Sequence, residues 1–141
     1  MIASIENIYA GKGLYQEMLA PLCRKYDLTD TQLVILLYLA DANPADTATM
    51  IIRYQRLKKS VVSMSIDDLE KKSLIESYFE DGDRRTKHLR VLPQAFPIVK
   101  EARSIQDELY SLMMDGISDE DKLHLERITE KINENIAGYH S

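Results

Sequence analysis

The sequence has no tryptophan, one cysteine, four prolines and five glycines in 141 residues, and each scarcity excludes something. A single thiol, Cys23, cannot build an internal disulfide framework and fits a reducing compartment. So few helix breakers favour helix over strand. No apolar run approaches the roughly 18 residues of a membrane span, and the opening MIASIENIYAGKGLY lacks the basic start and long apolar core of a signal peptide. The expectation is a cytoplasmic chain with no membrane partner. His88, His124 and His140 show no metal-ligand spacing, no glycine-rich phosphate loop is present, and no nucleophile has an evident base. No metal, cofactor, catalytic residue or enzyme activity is therefore expected.

What is present is an ordinary globular composition, 45% hydrophobic and 29% charged, at a length that suits one core and one domain per subunit. The net charge of −5 argues against nucleic acid only as an average. Between Arg53 and Arg90 stand ten Lys/Arg and seven Asp/Glu, a local +3, against a local −8 in the remainder. A binding surface follows its local field, not the total.

Helical spacing of Ile5, Ile8, Tyr15, Met18, Leu19 and Leu22 predicts a first helix that Pro21 should kink or end. In LTDTQLVILLYLAD, Thr29 or Asp30 caps an almost uninterrupted apolar body, as in a helix buried on most sides. After the turn DANPAD, Thr47 or Asp46 caps a short helix through TATMIIRYQ. KKSVVSMSIDDLEKK follows, with Val62, Ile66 and Leu69 on one stripe. Two helices joined by the tight QRLK connection read as helix-turn-helix. SLIESYF and HLRVL are strand-length and flank EDGDRRTK, with its Asp81-Gly82 pair, so a hairpin follows the two helices. The last third returns to helix. One carries Val99, Ala102, Ile105, Leu109 and Leu112 in register; the final one carries Leu125, Ile128, Ile132 and Ile136 and starts at Ser118 with Asp121 three residues on.

A hairpin after helix-turn-helix is a winged helix. The fold class is mainly α with a small β-hairpin wing. A winged head at about residues 28–93 is carried by terminal helices at about 1–27 and 94–141, within a single domain of 1–141. In such a head the second helix fits the major groove and its N-terminal exposed residues reach base edges. Lys58 and Lys59 can neutralise phosphates, Lys59 can also donate to guanine, and Ser60 and Ser63 can donate or accept at bases or phosphates. Val61 and Met64 offer apolar contact to thymine methyls. Neither makes a bidentate base contact, so much of the readout is expected to come from DNA shape. Arg84, Arg85 and Lys87 on the wing can sit over phosphates, with an arginine inserted in a narrow minor groove.

These residues resemble the MarR (multiple antibiotic resistance regulator) family of winged-helix transcription factors. The likeness runs through LTDTQLVILLYL, VVSMSIDDLEKKSLI and DGDRRTKHLRVL; its most specific piece is Asp83-Arg84-Arg85 before a strand ending in Leu92. Arg56, Lys58, Ser73 and Pro93 stand where that family commonly has Gly, a capping Ser, Gly and Thr. The resemblance implies a homodimer on a palindromic double-stranded operator. The first and last two helices of both subunits would intertwine, with Ile5, Ile8, Leu125, Ile128 and Ile132 at the interface. It implies a wing salt bridge between Asp83 and Arg85, and an effector cleft for phenolic or other small aromatic compounds beside Tyr15, Met18 and Tyr38. The mechanism so implied is repression relieved by effector, although activation is equally compatible with the residues. Two alternatives stand beside it. One is a winged-helix protein-interaction module that no longer binds DNA, suggested by Asp67, Asp68 and Glu70. The other is a redox sensor built on Cys23, whose neighbours Arg24 and Lys25 could lower its pKa.

Overall fold

Helix α1 (Ile2–Tyr26) continues past Pro21, so of the kink or end expected there the end does not occur. The proline removes one helical hydrogen bond, at a typical cost of about 3 kcal/mol. Leu19, Leu22 and Cys23 on either side of it are buried, and that burial outweighs the local preference. The computed structural model describes residues 2–41 and 46–139, the side chains of 2–9 excepted. Ile5, Ile8 and His140, named above, thus lie outside the described side chains.

The chain then forms α2 (Asp30–Ala40), α3 (Ala48–Gln55), α4 (Lys59–Lys71), the antiparallel strands β1 (Ile75–Glu80) and β2 (Asp83–Val91), a short 3-10 turn at Pro93–Ala95, α5 (Phe96–Met113) and α6 (Asp119–Tyr139). Thr29 caps α2 through a full capping box: its hydroxyl accepts the Gln32 backbone N–H at 3.1 Å, and its own N–H donates to the Gln32 side-chain Oε1 at 3.0 Å. Thr47 caps α3. Lys58 stands at the start of α4 with no side-chain cap, as the absence of a serine there implies.

Two compact units divide the chain, Met1–Gln106 and Asp107–Ser141. In the first, α2 is the hub and packs against α1, α4 and β2. Its Leu33, Ile35 and Leu36 are almost fully enclosed by a core that includes Ile51, Val62, Leu69, Ile75, Leu89 and Ala102. The first part of α5 is tied down by polar contacts: Gln106 donates to the Tyr15 hydroxyl at 2.7 Å, Lys25 meets Glu101 at 2.6 Å, and Arg103 pairs with Asp41. The second unit holds the end of α5 and all of α6. Ser118 accepts the Asp121 N–H at 3.1 Å and starts α6 as expected, but no described residue of α6 is buried.

Three helices of the first unit end on a non-glycine residue in the left-handed region: Asp27 at φ 53°, Arg56 at φ 52° and Ser73 at φ 57°. Beyond α4, the Leu74 N–H donates to the Leu69 carbonyl and the Ser73 N–H to the Glu70 carbonyl, both at 3.0 Å. That is a Schellman ending, with Leu69 and Leu74 both buried as its apolar contact.

The hairpin pairs Ile75 with Val91, Glu76 with Arg90, Ser77 with Leu89 and Tyr78 with His88; the pairing then shifts, and Glu80 meets Asp83. Arg84, Arg85, Thr86 and Lys87 thus lie opposite Phe79 alone. β2 begins at Asp83, five residues before the HLRVL expected from sequence. The basic stretch is therefore strand beyond a tight Asp81-Gly82 turn, with Gly82 at φ 79°.

Candidate nucleic-acid interface

The apolar spacing of α4 fixes which of its residues meet solvent. Val62, Ser65, Ile66 and Leu69 turn inward. Lys58, Lys59, Ser60, Val61, Ser63 and Met64 are all exposed on its first two turns, as expected for groove contacts. Met64 is 68% exposed and Val61 39%, unusual for apolar side chains with a core beside them. The acidic residues that follow are less free than their sequence suggests: the Asp68 carboxylate accepts the Gln32 amide at 3.2 Å, and Glu70 accepts the Ser77 hydroxyl at 2.9 Å.

Ion pairing sorts the basic residues into two groups. Lys72 pairs with Asp27, Lys87 with Glu70 at 3.7 Å, and Arg90 with Glu76 at 2.6 Å. Among the described residues, Arg53, Arg56, Lys58, Lys59, Arg84 and Arg85 pair with no carboxylate. All six are exposed. Four surround the left-handed turn from α3 into α4 and two lie on the wing, where an incoming phosphate has no carboxylate to displace; Lys71, exposed in the last turn of α4, is a seventh cation of the stretch in no ion pair among the described residues. Arg53 and Arg56 were not singled out as contacts from sequence, although the basic stretch begins at Arg53. Lys87 differs from Arg84 and Arg85 in having a carboxylate partner, Glu70.

The implied salt bridge between Asp83 and Arg85 takes another form. The Asp83 carboxylate accepts the Arg85 backbone N–H at 2.8 Å, and no ion pair joins their side chains among the described residues. A short carboxylate reaches the N–H two residues on more readily than it holds a long, solvated guanidinium. Asp83 thereby shapes the wing backbone and leaves the guanidinium unpaired.

At the root of the wing, Asp46 binds both strands. One carboxylate oxygen meets His88 Nδ1 at 2.6 Å, the other accepts the Tyr78 hydroxyl at 2.9 Å, and the Asp46 carbonyl accepts the Leu89 N–H at 3.0 Å. The hydrogen bond to Asp46 raises the pKa of His88 against the opposing effect of desolvation; the charges of Asp46, Glu80 and Asp83 add to it. The same carboxylate raises the pKa of Tyr78.

Of the residues expected to line an effector cleft, Tyr15 borders a described cavity. Tyr15 lines a cavity of about 120 Å³ with Lys12, Gln16, Leu19, Asp30, Leu33 and Val34, but Met18 and Tyr38 are absent from its wall. Tyr38 is buried in the core, and that burial, followed by the charge of Asp46, raises its pKa.

Cys23 is 6% exposed, and burial followed by the Asp30 carboxylate pushes its pKa up. Arg24 acts in the opposite sense and is outweighed, which overturns the expectation of an activated thiolate.

In the second unit, Leu125, Ile128, Ile132 and Ile136 are 41–52% exposed. Spaced three and four apart, they form one apolar stripe along α6.

Residues 26–86 match the model of the MarR family. Among solved structures, the chain resembles the transcriptional regulator PA3341, at 18% identity over 97% of each chain with a TM-score of 0.83. It resembles a MarR-family transcriptional regulator from Silicibacter pomeroyi, at 16% identity over 94% of this chain and 89% of that one, TM-score 0.82. A third likeness is to a putative MarR-family transcriptional regulator from Listeria monocytogenes, solved in complex with a 26mer DNA. That match has 16% identity over 98% of this chain and 89% of the other, with a TM-score of 0.80. At such identities the likeness is one of fold.

Proposed function

We propose, for a chain of the MarR family over residues 26–86 with the winged-helix fold of that family's regulators, that it acts as a homodimeric, sequence-specific regulator of transcription. The observation that carries this reading is the set of six exposed, unpaired cations around the start of α4 and on the wing. They flank the exposed Val61 and Met64 at the height where a helix meets base edges. The phosphate contacts supply affinity, and α4 with DNA shape supplies sequence preference.

The dimer is supported by the apolar stripe on α6, too large an exposed surface to leave in water. Two copies related by a twofold axis place their α4 helices in successive major grooves, roughly 34 Å apart. Repression follows where such a site overlaps a promoter. Release by a small effector is supported by the cavity at Tyr15; at about 120 Å³ it lies well under the roughly 300–1,000 Å³ of drug-sized pockets. Such a space suits one aromatic ring, with Tyr15 to stack on it and Lys12 to meet an anionic substituent. The effector can shift the equilibrium only by its difference in affinity between DNA-competent and incompetent forms.

Fluorescence anisotropy on DNA from upstream of the protein's own gene and on a scrambled duplex, from about 50 to 200 mM salt, tests the reading. The expected result is tighter binding to the upstream DNA with a steep salt slope. Equal and weak binding to both, followed by no enrichment of any sequence from a random duplex library, would overturn it.

A further inference from the structure

Asp46 stands one residue before the cap of α3, and His88 lies 42 residues later on β2. Three hydrogen bonds join them and their neighbours: Asp46 to His88, to Tyr78 and to the Leu89 backbone. Tyr78 and His88 pair across the strands and stack at 5.2 Å, and the Arg90 guanidinium lies 4.5 Å from the Tyr78 ring centre. Both strands of the wing are thus fastened through one carboxylate to the first residues of the helix-turn-helix. This is more than a hairpin needs. A two-stranded sheet is only marginally stable by itself and turns about its root unless it is held.

We infer that Asp46, with His88 and Tyr78, is a wing-positioning clamp, and that the clamp is tightest when His88 carries its proton. This rests on the DNA-binding reading above: a fixed root holds Arg84 and Arg85 at one height relative to α4, so that helix and wing meet the duplex together. The chain gains DNA affinity because the geometry is prepared before binding.

Every charged group facing the imidazole bears on its proton. Asp46 approaches from the α3 side at 2.6 Å, Glu80 from β1 at 3.9 Å from Nε2, and Asp83 from β2 as a more distant charge. Tyr78 contributes a neutral ring, and Arg90 sits against that ring. Beyond Asp46, Tyr38 of α2 is kept protonated by burial and by the charge of Asp46. Three carboxylates around one imidazole favour the cation. The folded pKa of His88 lies above its ordinary value of about 6.5. The charged clamp is therefore complete below that value and is lost as the pH rises through the higher folded pKa. Neutral His88 still donates one N–H, but the ion pair is gone. DNA affinity senses this only to the extent that the bound, well-aligned wing holds the proton more tightly than the free one. A difference of half to one pH unit gives roughly a three- to tenfold change in Kd.

The test combines two measurements on the intact protein, wild type beside His88→Gln and Asp46→Asn. NMR titration of the imidazole resonances reads the proton directly. Anisotropy on random-sequence duplexes of about 25–30 base pairs, at about 50 mM salt from pH 6 to 9, reads the wing's phosphate contacts without needing an operator. The expected outcome has His88 titrating above its ordinary value and reverting in Asp46→Asn. Wild-type Kd should rise about three- to tenfold across that titration, and both variants should lack the step. A pH step that survives Asp46→Asn at lower pH would mean His88 touches phosphate itself, which overturns the clamp. So would equal pH profiles in all three proteins, or a His88 titration unmoved by Asp46→Asn. If nothing binds duplex at any pH, the DNA reading fails and the wing's positioning role fails with it, while the imidazole titration still reports whether the ion pair exists.

Discussion

Ser73 offers a test of what a missing glycine costs this fold. It occupies the left-handed position after α4 at φ 57°, where a side chain crowds the following carbonyl at a cost of roughly 1–2 kcal/mol. The residue is exposed and its side chain makes no hydrogen bond among those described, so Ser73→Gly removes strain and little else. Against the gain stands the greater freedom of glycine in the unfolded chain, about 0.4–1 kcal/mol. The net is a stabilisation of about 0.5–1 kcal/mol. With an unfolding entropy of about 2.1 cal/mol/K per residue over 141 residues, that raises Tm by roughly 2–3 °C. Ser73→Ala keeps the crowding and should gain nothing. Asp27→Gly should gain less than Ser73→Gly, because aspartate tolerates this region better and Asp27 also pairs with Lys72 at 3.7 Å. Calorimetry at one fixed protein concentration reads all three, since association makes Tm concentration-dependent. If Ser73→Gly and Ser73→Ala melt together, strain at the end of α4 is not what the sequence gives up there.

Arg85→Ala should lower the slope of log affinity against log salt by about 1 per protomer, whereas Lys87→Ala, already neutralised by Glu70 at 3.7 Å, should change it by less than half as much; equal slopes would refute the sorting of cations by ion pairing. Ile132→Asp on the α6 stripe, repeated on both copies, should weaken a dimer by about 4 kcal/mol, roughly a thousandfold, as read by sedimentation equilibrium, and an unchanged mass would remove α6 from the interface. Replacing thymine by deoxyuridine across a selected binding site removes only methyl groups. Loss of contacts to Val61 and Met64 at about 0.8 kcal/mol per methyl should weaken wild type three- to fourfold for each methyl touched, and should leave Val61→Ala/Met64→Ala nearly indifferent.

Local pattern carried the sequence reading furthest where local pattern decides the structure. The stripe of Val62, Ile66 and Leu69 sets the face of α4, Thr29 sets the start of α2, and Ser118 that of α6. Pro21 does not end α1 because the local cost of a proline is offset by neighbours packed from other helices. The early start of β2 escaped because DRRTK has weak strand propensity and pairs only through its partner's register. The site was legible as residue types, not as pairings. Nothing in the sequence links Lys87 to Glu70, seventeen positions apart, or His88 to Asp46 across 42. Arg56 and Ser73 stood out only against a family pattern of glycines, and Asp27, in the same conformation, offered no such contrast.

Those unseen pairings resolve how an acidic chain can meet a polyanion. Counting charges assigns Asp67, Asp68, Glu70, Glu76, Glu80, Asp81 and Asp83 as repulsive toward phosphate. In the folded head Asp68 is bonded to Gln32, Glu70 to Ser77 and Lys87, Glu76 to Arg90, and Asp83 to a backbone N–H. Glu70 and Glu76, each paired with a cation, present a small dipole in place of a charge, and its field falls off faster with distance; Asp68 and Asp83, bonded to neutral groups, keep their charge. Of the cations left over in this stretch, all but Lys71, in the last turn of α4, stand around the start of α4 and on the wing. Lys87, paired with Glu70 at 3.7 Å, belongs to that internal balance and not to the surplus.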